Sequence, residues 1–202
     1  MRVGVLASGA GTNLQALIDR VHGRDGVELV AVGSDRPDAF ALERARSARI
    51  PIRAFPEEEF PERRARDAAM ATWLGDAGVE LVVLAGYMRL LSAEFLGAFP
   101  ERVINVHPAL LPAFPGVRAI EQALAYGVKV FGVTVHYVDE GVDSGPIIAQ
   151  RAVDLAEPTT PAEVHDALRP LEHDVLCAAV LAFARGGISI GGERGRHVRV
   201  ST

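Results

Sequence analysis

The stretch RVGVLASGAGTNLQALIDRV, residues 2–21, joins an apolar run of strand length to a segment of helical period through a glycine-rich turn. We predict a strand over residues 2–7 and a helix over 13–21. The same alternation continues along the chain, with further strands predicted at 27–32, 52–55, 80–85 and 102–106 and helices at 39–48, 61–77, 92–99 and 119–127. Strands that alternate with helices in this way indicate a parallel sheet covered by helices.

The pattern changes after residue 128. KVFGVTVHYV (129–138) and PIIAQRAVDL (146–155) are two apolar runs separated by a turn rich in Gly and Asp, which predicts an antiparallel hairpin. A long helix is expected over 161–184, interrupted by Pro170 through a kink or a new first turn, and then a short hairpin that turns at Gly191 and Gly192. The predicted fold class is α/β, with a Rossmann-like, mostly parallel sheet, helices on both faces and an antiparallel C-terminal hairpin.

Composition excludes several classes of function. No run of about 18 apolar residues is present, so no membrane partner is expected. The net charge of −5 offers no general attraction to nucleic acid, and the arginines of ERRAR (62–66) are interpreted as a solvated surface. The start leads directly into a strand and the single Cys177 cannot form an intrachain disulfide, so we expect a cytoplasmic protein in which Cys177 fills the core. The spacing of the histidines predicts no metal site.

The turn SGAGTN, residues 8–13, is the first candidate site. Glycines allow backbone N–H groups to approach an anion, and the positive end of a helix dipole favours a phosphate there. A dinucleotide fingerprint would require glycine where Leu14 stands, which favours a single phosphate. Asp35, near the end of the second strand, keeps a nicotinamide cofactor open as an alternative, and a tight turn without any ligand is the other.

The segment INVHPALLPAFPG, residues 104–116, is the second candidate site. Asn105 and His107 are two residues apart, so strand alternation places both on one face at the carboxyl end of the sheet. Three prolines then stiffen the loop, and an amide with an imidazole can stabilise an oxyanion. Asp143, in the hairpin turn, is either a turn former or a carboxylate that favours the protonated form of that imidazole.

Five segments together resemble the phosphoribosylglycinamide formyltransferases, the folate-dependent enzymes of purine synthesis: SGAGTNLQAL, DAFALERAR, LVVLAGYMRLLS, INVHPALLPAFPG and GVTVHYVDEGVDSGPIIAQ. The resemblance extends from residue 2 to about 185. It implies transfer of the formyl group of 10-formyltetrahydrofolate, as co-substrate, to the amine of glycinamide ribonucleotide, without a metal. It also implies one formyltransferase domain over 1–202, with a nucleotide-phosphate half (1–100) and a folate-binding, catalytic half (101–202).

The resemblance also implies roles for individual residues. The catalytic residues would be Asn105, His107 and Asp143, supported by Thr134. Those expected to bind the ribonucleotide are Gly11, Thr12, Asn13, Arg169, Pro170, Leu171 and Glu172. Those expected to bind folate are Arg63, Met88, Arg89, Leu90, Leu91, Asn105, Asp139, Glu140, Gly141, Val142 and Asp143.

The chain departs from the family at two positions. Arg118 stands where the family usually has histidine, so the partner of Asp143 is expected to differ, and Pro170 stands where relatives usually continue a helix. His136 lies in mid-strand and is left between a core role and a cleft role. The protein is expected to be a monomer or a homodimer. The alternatives to a formyltransferase are a nicotinamide oxidoreductase and a nucleotide-binding module without catalysis.

Overall fold

The structure is a computed structural model that describes residues 1–157, 159–192 and 195–201. The chain divides into two compact units, Met1–Asn105 and Val106–Thr202. No helix within the described ranges is long and apolar enough to cross a membrane.

The first unit is a parallel sheet with its connecting helices. Its strands are β1 (Arg2–Leu6), β2 (Glu28–Ser34), β3 (Ile52–Ala54), β4 (Leu81–Leu84) and β5 (Val103–His107), whose last two residues belong to the second unit. They pair in the order β3-β2-β1-β4-β5, all in parallel. The helices are α1 (Thr12–Arg20), α2 (Phe40–Ser47), α3 (Arg63–Asp76) and α4 (Ala93–Ala98). β1 and β4 are almost fully buried, as expected of central parallel strands.

The second unit is built on an antiparallel hairpin. It contains α5 (Ala119–Tyr126), β6 (Val130–Tyr137), β7 (Ile147–Asp154), α6 (Pro161–Ala184), β8 (Ile188–Gly191) and β9 (His197–Val200). β6 pairs with β7 and β8 pairs with β9, both antiparallel, and α6 packs on β6 and β7. Cys177 on α6 is buried, as predicted.

The predicted fold class is confirmed as a mostly parallel seven-stranded sheet with helices and an antiparallel C-terminal hairpin. A new first turn at Pro170, one of the two expected outcomes, is wrong, because α6 is one helix of 24 residues with Pro170 inside it. Proline removes only one intrahelical donor, and a capping box of Thr160 and Glu163 with Pro161 in the first turn stabilises the start of this helix. The tail hairpin is present, although its turn includes two positions outside the described residues. The single domain over 1–202 stays a prediction.

Candidate active site

The turn between β1 and α1 has the backbone geometry of an anion site. Gly11 caps α1 in a left-handed conformation, at φ 69° and ψ 34°. The first helical bond runs from the Gln15 N–H to the Gly11 carbonyl, at 2.9 Å. The N–H groups of Thr12, Asn13 and Leu14 therefore precede the first intrahelical donor, and no acidic residue occupies this turn.

Gly9 and Gly11 of this turn differ in whether the structure has room for a side chain. A Cβ on Gly11 would lie 2.7 Å from the Cα of Ala41 in α2, in addition to the strain of a positive φ, whereas a Cβ on Gly9 would meet open space. Gly11 is therefore required by helix packing as well as by its backbone conformation. From the sequence, these glycines are interpreted as a site for anion approach or as a tight turn, and the packing of Gly11 against α2 adds a third reason for glycine at this position.

Asp35 binds protein groups through both carboxylate oxygens. Its Oδ1 accepts from the Ser8 hydroxyl at 2.5 Å, and its Oδ2 accepts from Arg89 Nε at 3.0 Å. The Ser8 hydroxyl in turn accepts from the Met88 N–H at 2.9 Å. Asp35 thus links the loop after β1 to the loop after β4, which argues against a ribose-binding role.

Four of the residues predicted to bind folate line one cavity in the first unit. It has a volume of about 280 Å³, and Arg63, Met88, Arg89 and Leu90 are among its lining residues, whereas Leu91 is not. Met88 and Leu90 are 68% and 56% exposed, which is unusual for such apolar side chains and suits a surface that a ligand covers.

Arg66 corrects the interpretation of ERRAR as a solvated surface. Its guanidinium is buried, pairs with the fully buried Asp67 at 2.7 Å and donates to the Leu90 carbonyl at 3.0 Å. Asp67 also accepts from the Ser92 N–H at 2.6 Å. This buried ion pair therefore holds the segment that lines the cavity.

In the second unit, His107 lies between two acceptors. Its Nδ1 is 3.3 Å from Asp143 Oδ2, and its Nε2 is 2.9 Å from the Phe114 carbonyl oxygen. A carboxylate and a carbonyl can only accept, so the imidazolium, with a proton on each nitrogen, is the form that satisfies both. The predicted pairing of His107 with Asp143 is present in the structure.

The Asp143 carboxylate has further partners besides His107. The Gly116 N–H donates to its Oδ2 at 2.7 Å, and His136 Nε2 lies 3.4 Å from its Oδ1. Burial raises the pKa of the Asp143 carboxyl, but the His136 hydrogen bond, the Gly116 N–H and the charges of His107 and His136 outweigh burial, and the pKa lies below its ordinary value of 3.8. Asp143 is thus a carboxylate at neutral pH.

His136 is a site residue that sequence reasoning did not assign. Its side chain is almost fully buried in β6, and its Nδ1 is 2.8 Å from the Tyr137 carbonyl. Arg118, where the family usually has histidine, is exposed, and no contact with Asp143 is found for it within the described residues. His136, and not Arg118, therefore lies beside the Asp143 carboxylate.

Residues 1–180 match the formyl transferase family. The chain belongs to this family. It is 42% identical over 202 residues to the phosphoribosylglycinamide formyltransferase of Mycobacterium tuberculosis (98% of this chain, 94% of the relative) and 43% identical over 170 residues to that of Bacillus subtilis (84% and 87%). The glycinamide ribonucleotide transformylase 1 structure from Symbiobacterium toebii superposes with a TM-score of 0.95 at 48% identity, covering 100% of this chain and 94% of that one. The predicted resemblance, enzyme class and reaction are confirmed.

The loop of this formyltransferase after β5 is fixed by polar side chains from the hairpin. The Thr134 hydroxyl donates to the Ala109 carbonyl at 2.7 Å and accepts from the Leu111 N–H at 3.1 Å. Gln150 donates both to that hydroxyl and to the Leu111 carbonyl, at 2.9 Å each. Thr134 therefore positions the loop that carries the Phe114 carbonyl, consistent with the supporting role the resemblance implied.

The hairpin turn that carries Asp143 is held by Asp139. The Asp139 carboxylate accepts from the Gly141 N–H at 3.1 Å and from the Ser144 hydroxyl at 2.7 Å. Glu140 and Val142, predicted to bind folate, are exposed in this turn. A second cavity of about 280 Å³, with Val142 and Asp143 in its lining, adjoins the turn.

The remaining predicted residues of this formyltransferase lie on β5 and α6. Asn105 is half-buried and is the last residue of the first unit. On α6, Arg169 contacts Asp166 at 2.8 Å, and Glu172 is buried. Pro170 is exposed and Leu171 half-buried on the same helix. No cluster of three or more His, Cys, Asp or Glu able to hold a metal is found within the described part of the chain.

Proposed function

We propose that this formyltransferase moves the formyl group of 10-formyltetrahydrofolate to the amine of glycinamide ribonucleotide with Asn105, His107 and Asp143 as its catalytic residues. The observation that carries the proposal is the placement of His107 between two acceptors, one of them a carboxylate that is ionised at neutral pH. A ring held in the imidazolium form is a hydrogen-bond donor suited to a developing oxyanion.

The reaction proceeds by attack of the neutral amine on the formyl carbon. Negative charge develops on the formyl oxygen, and Asn105 Nδ2 and His107 donate to it, because strand alternation presents both side chains on one face of β5. The proton stays on His107 Nε2, and its hydrogen bond switches from the Phe114 carbonyl oxygen to the formyl oxygen, since an oxyanion is the stronger acceptor. The bond to the folate nitrogen then breaks, and the proton lost by the amine ends on that nitrogen.

Asp143 places a negative charge beside the His107 ring. Its carboxylate faces Nδ1, the nitrogen opposite the one that reaches the oxyanion. The Gly116 N–H and His136 hold the carboxylate in place from other directions, so its orientation does not depend on substrate. Asp143 is therefore a positioning and charge-stabilising group that does not itself need to transfer a proton.

Substrate binding is assigned to separate segments of the chain. The phosphate binds at Gly11, Thr12 and Asn13, where helical N–H groups face an anion without competing acidic groups. Residues 169–172 of α6 bind the remainder of the ribonucleotide. Folate is assigned to the cavity lined by Arg63 and residues 88–90. The turn at 139–143 is the other segment assigned to folate.

The two halves, 1–100 and 101–202, act as one formyltransferase domain in this proposal. The protein acts in the cytoplasm as a monomer or a homodimer, on small-molecule substrates without nucleic acid.

The test is a formyl-transfer assay with the purified chain, with each substrate omitted in turn. The formylated ribonucleotide and tetrahydrofolate should form together and only with both substrates present. Hydrolysis of the formyl folate without the nucleotide would indicate a deformylase, and product that required added divalent metal would contradict the mechanism. In thermal melts, a folate and the ribonucleotide should each raise Tm, whereas NAD should not.

A further inference from the structure

Both carbonyl groups in the middle of the 8–13 loop are held by α2. The Gly9 carbonyl accepts from the Ala41 N–H at 3.0 Å, and the Ala10 carbonyl accepts from Arg44 Nε at 2.8 Å. In a trans peptide the C=O and N–H of one peptide unit point in opposite directions. The N–H groups of Ala10 and Gly11 therefore point away from α2.

The peptide between Ala10 and Gly11 needs a partner to keep this orientation. Rotation of that peptide changes ψ of Ala10 and φ of Gly11, and glycine adopts negative and positive φ with similar ease. The rotated peptide would turn the Ala10 carbonyl oxygen to the side where the Gly11 N–H now points, and this oxygen would repel an anion. The peptide between Gly9 and Ala10 is fixed by a backbone hydrogen bond from the Ala41 N–H. The peptide between Ala10 and Gly11 is fixed instead by the guanidinium of Arg44.

The guanidinium of Arg44 is itself held on two further sides. Its Nη1 donates to Gln15 Oε1 in α1 at 3.0 Å, and its Cζ lies 4.9 Å from the centre of the Phe40 ring. The side chain is half-buried between the two helices. Arg46, one half-turn further along α2, is exposed and pairs with Glu43 of its own helix.

We propose that Arg44 is a positioning residue for the ribonucleotide phosphate: it holds the Ala10–Gly11 peptide so that the Gly11 N–H is directed at the phosphate. This rests on the proposed function of residues 11–13 as the phosphate site. Arg44 acts through the backbone and not by contact with substrate.

Three substitutions separate the hydrogen bond from the charge. Arg44→Gln places an amide nitrogen at the same number of bonds from Cα as Nε, so it keeps a donor for the Ala10 carbonyl and loses the charge. Arg44→Met keeps the length of the side-chain stem and loses both. Arg46→Met makes the same change at an exposed arginine of the same helix that pairs with Glu43.

In steady-state kinetics, the KM for glycinamide ribonucleotide should distinguish these variants. Arg44→Met should raise this KM roughly tenfold or more, the loss expected for a charged hydrogen bond. Its kcat and its KM for formyl folate should stay within about twofold of the wild-type values, which also shows that the variant folds. Arg44→Gln should recover most of the loss, and Arg46→Met should match the wild type.

Binding of the dephosphorylated ribonucleoside completes the test. Its Kd, measured by calorimetry, should be weak and equal for the wild type and Arg44→Met. An unchanged nucleotide KM in Arg44→Met, equal losses in the Met and Gln variants, or an equal loss for nucleoside and nucleotide would each overturn the proposal. A wild type that bound nucleotide and nucleoside equally would instead remove the phosphate site, and this proposal with it.

Discussion

Replacing Asp143 by Asn changes one oxygen of the carboxylate to an amide nitrogen with almost no change in shape. The Oδ2 side faces the Gly116 N–H and His107, and the Oδ1 side faces His136. An asparagine has one acceptor oxygen, which is expected to face the two donors on the Oδ2 side. The amide nitrogen then faces His136. Because this nitrogen donates, the Nε2 atom of His136 must carry no proton in order to accept the hydrogen bond. His107 keeps a hydrogen-bond partner but loses the negative charge beside it.

The size of the effect follows from the distance between His107 and Asp143. At 3.3 Å and an effective dielectric constant of about 20, the attraction between an imidazolium and a carboxylate is about 5 kcal/mol. Solvent near the site and the remaining hydrogen bond reduce the loss to roughly 2–4 kcal/mol, which corresponds to about a 30- to 1000-fold fall in kcat. Asp143→Asn should leave the KM of both substrates nearly unchanged, because the charge matters when the oxyanion forms.

The assay is steady-state formyl transfer at pH 7, with the formylated ribonucleotide measured directly. Asp154→Asn is the matched control, because Asp154 is an exposed carboxylate at the end of β7. A kcat for Asp143→Asn close to that of the control would refute the role of charge at His107. A rise in KM with unchanged kcat would limit the role of Asp143 to the binding of folate.

Three further results are expected. Asn105→Ala and His107→Ala should each lower kcat about 100-fold or more with little change in KM, because each removes a donor to the oxyanion; loss of affinity alone would contradict this. Gly11→Ala should lower the free energy of unfolding by about 2–5 kcal/mol, through its positive φ and the contact with α2, whereas Gly9→Ala should stay within about 0.5 kcal/mol in urea titrations. Because the pKa of Asp143 is lowered, its contribution to stability is complete above its ordinary value of 3.8 and is lost as pH falls through the lowered pKa. The difference in Tm between wild type and Asp143→Asn should therefore be present at about pH 5 and shrink as pH falls below 3.8.

The fold could be predicted because periodicity is a local property of the sequence. Buried parallel strands need continuous apolar runs, and β1 and β4 show them plainly. The pairing of His107 with Asp143 was also accessible, since polar residues at a strand end and in a turn rich in Gly and Asp stand out against apolar neighbours. Pro170 does not start a new helix, because a proline signal is local, whereas α6 also packs on β6 and β7, and such packing supplies most of a helix's stability.

Residues that act through tertiary contacts were not accessible in the same way. Arg66 belongs to a charged run, and only the structure shows that it is buried against Asp67 and holds the Leu90 carbonyl. The sequence likewise does not reveal whether Asp35 binds a ribose or protein groups, because its partners Ser8 and Arg89 are distant in sequence. A run of charged residues is usually exposed to solvent, but the sequence does not show when one member of the run is buried at a site.

One missed residue did leave a signal in the sequence. Asn105 and His107 attracted attention because two polar side chains, two residues apart, end an apolar strand. β6 repeats this pattern with Thr134 and His136, both almost fully buried in an otherwise apolar run. Thr134 holds the loop after β5, and His136 lies against Asp143. Burial of a polar group is costly unless the group has a hydrogen-bond partner. A polar pair at this spacing in a buried strand therefore indicates that polar partners lie next to the strand. Here those partners are the loop and the carboxylate on which His107 depends.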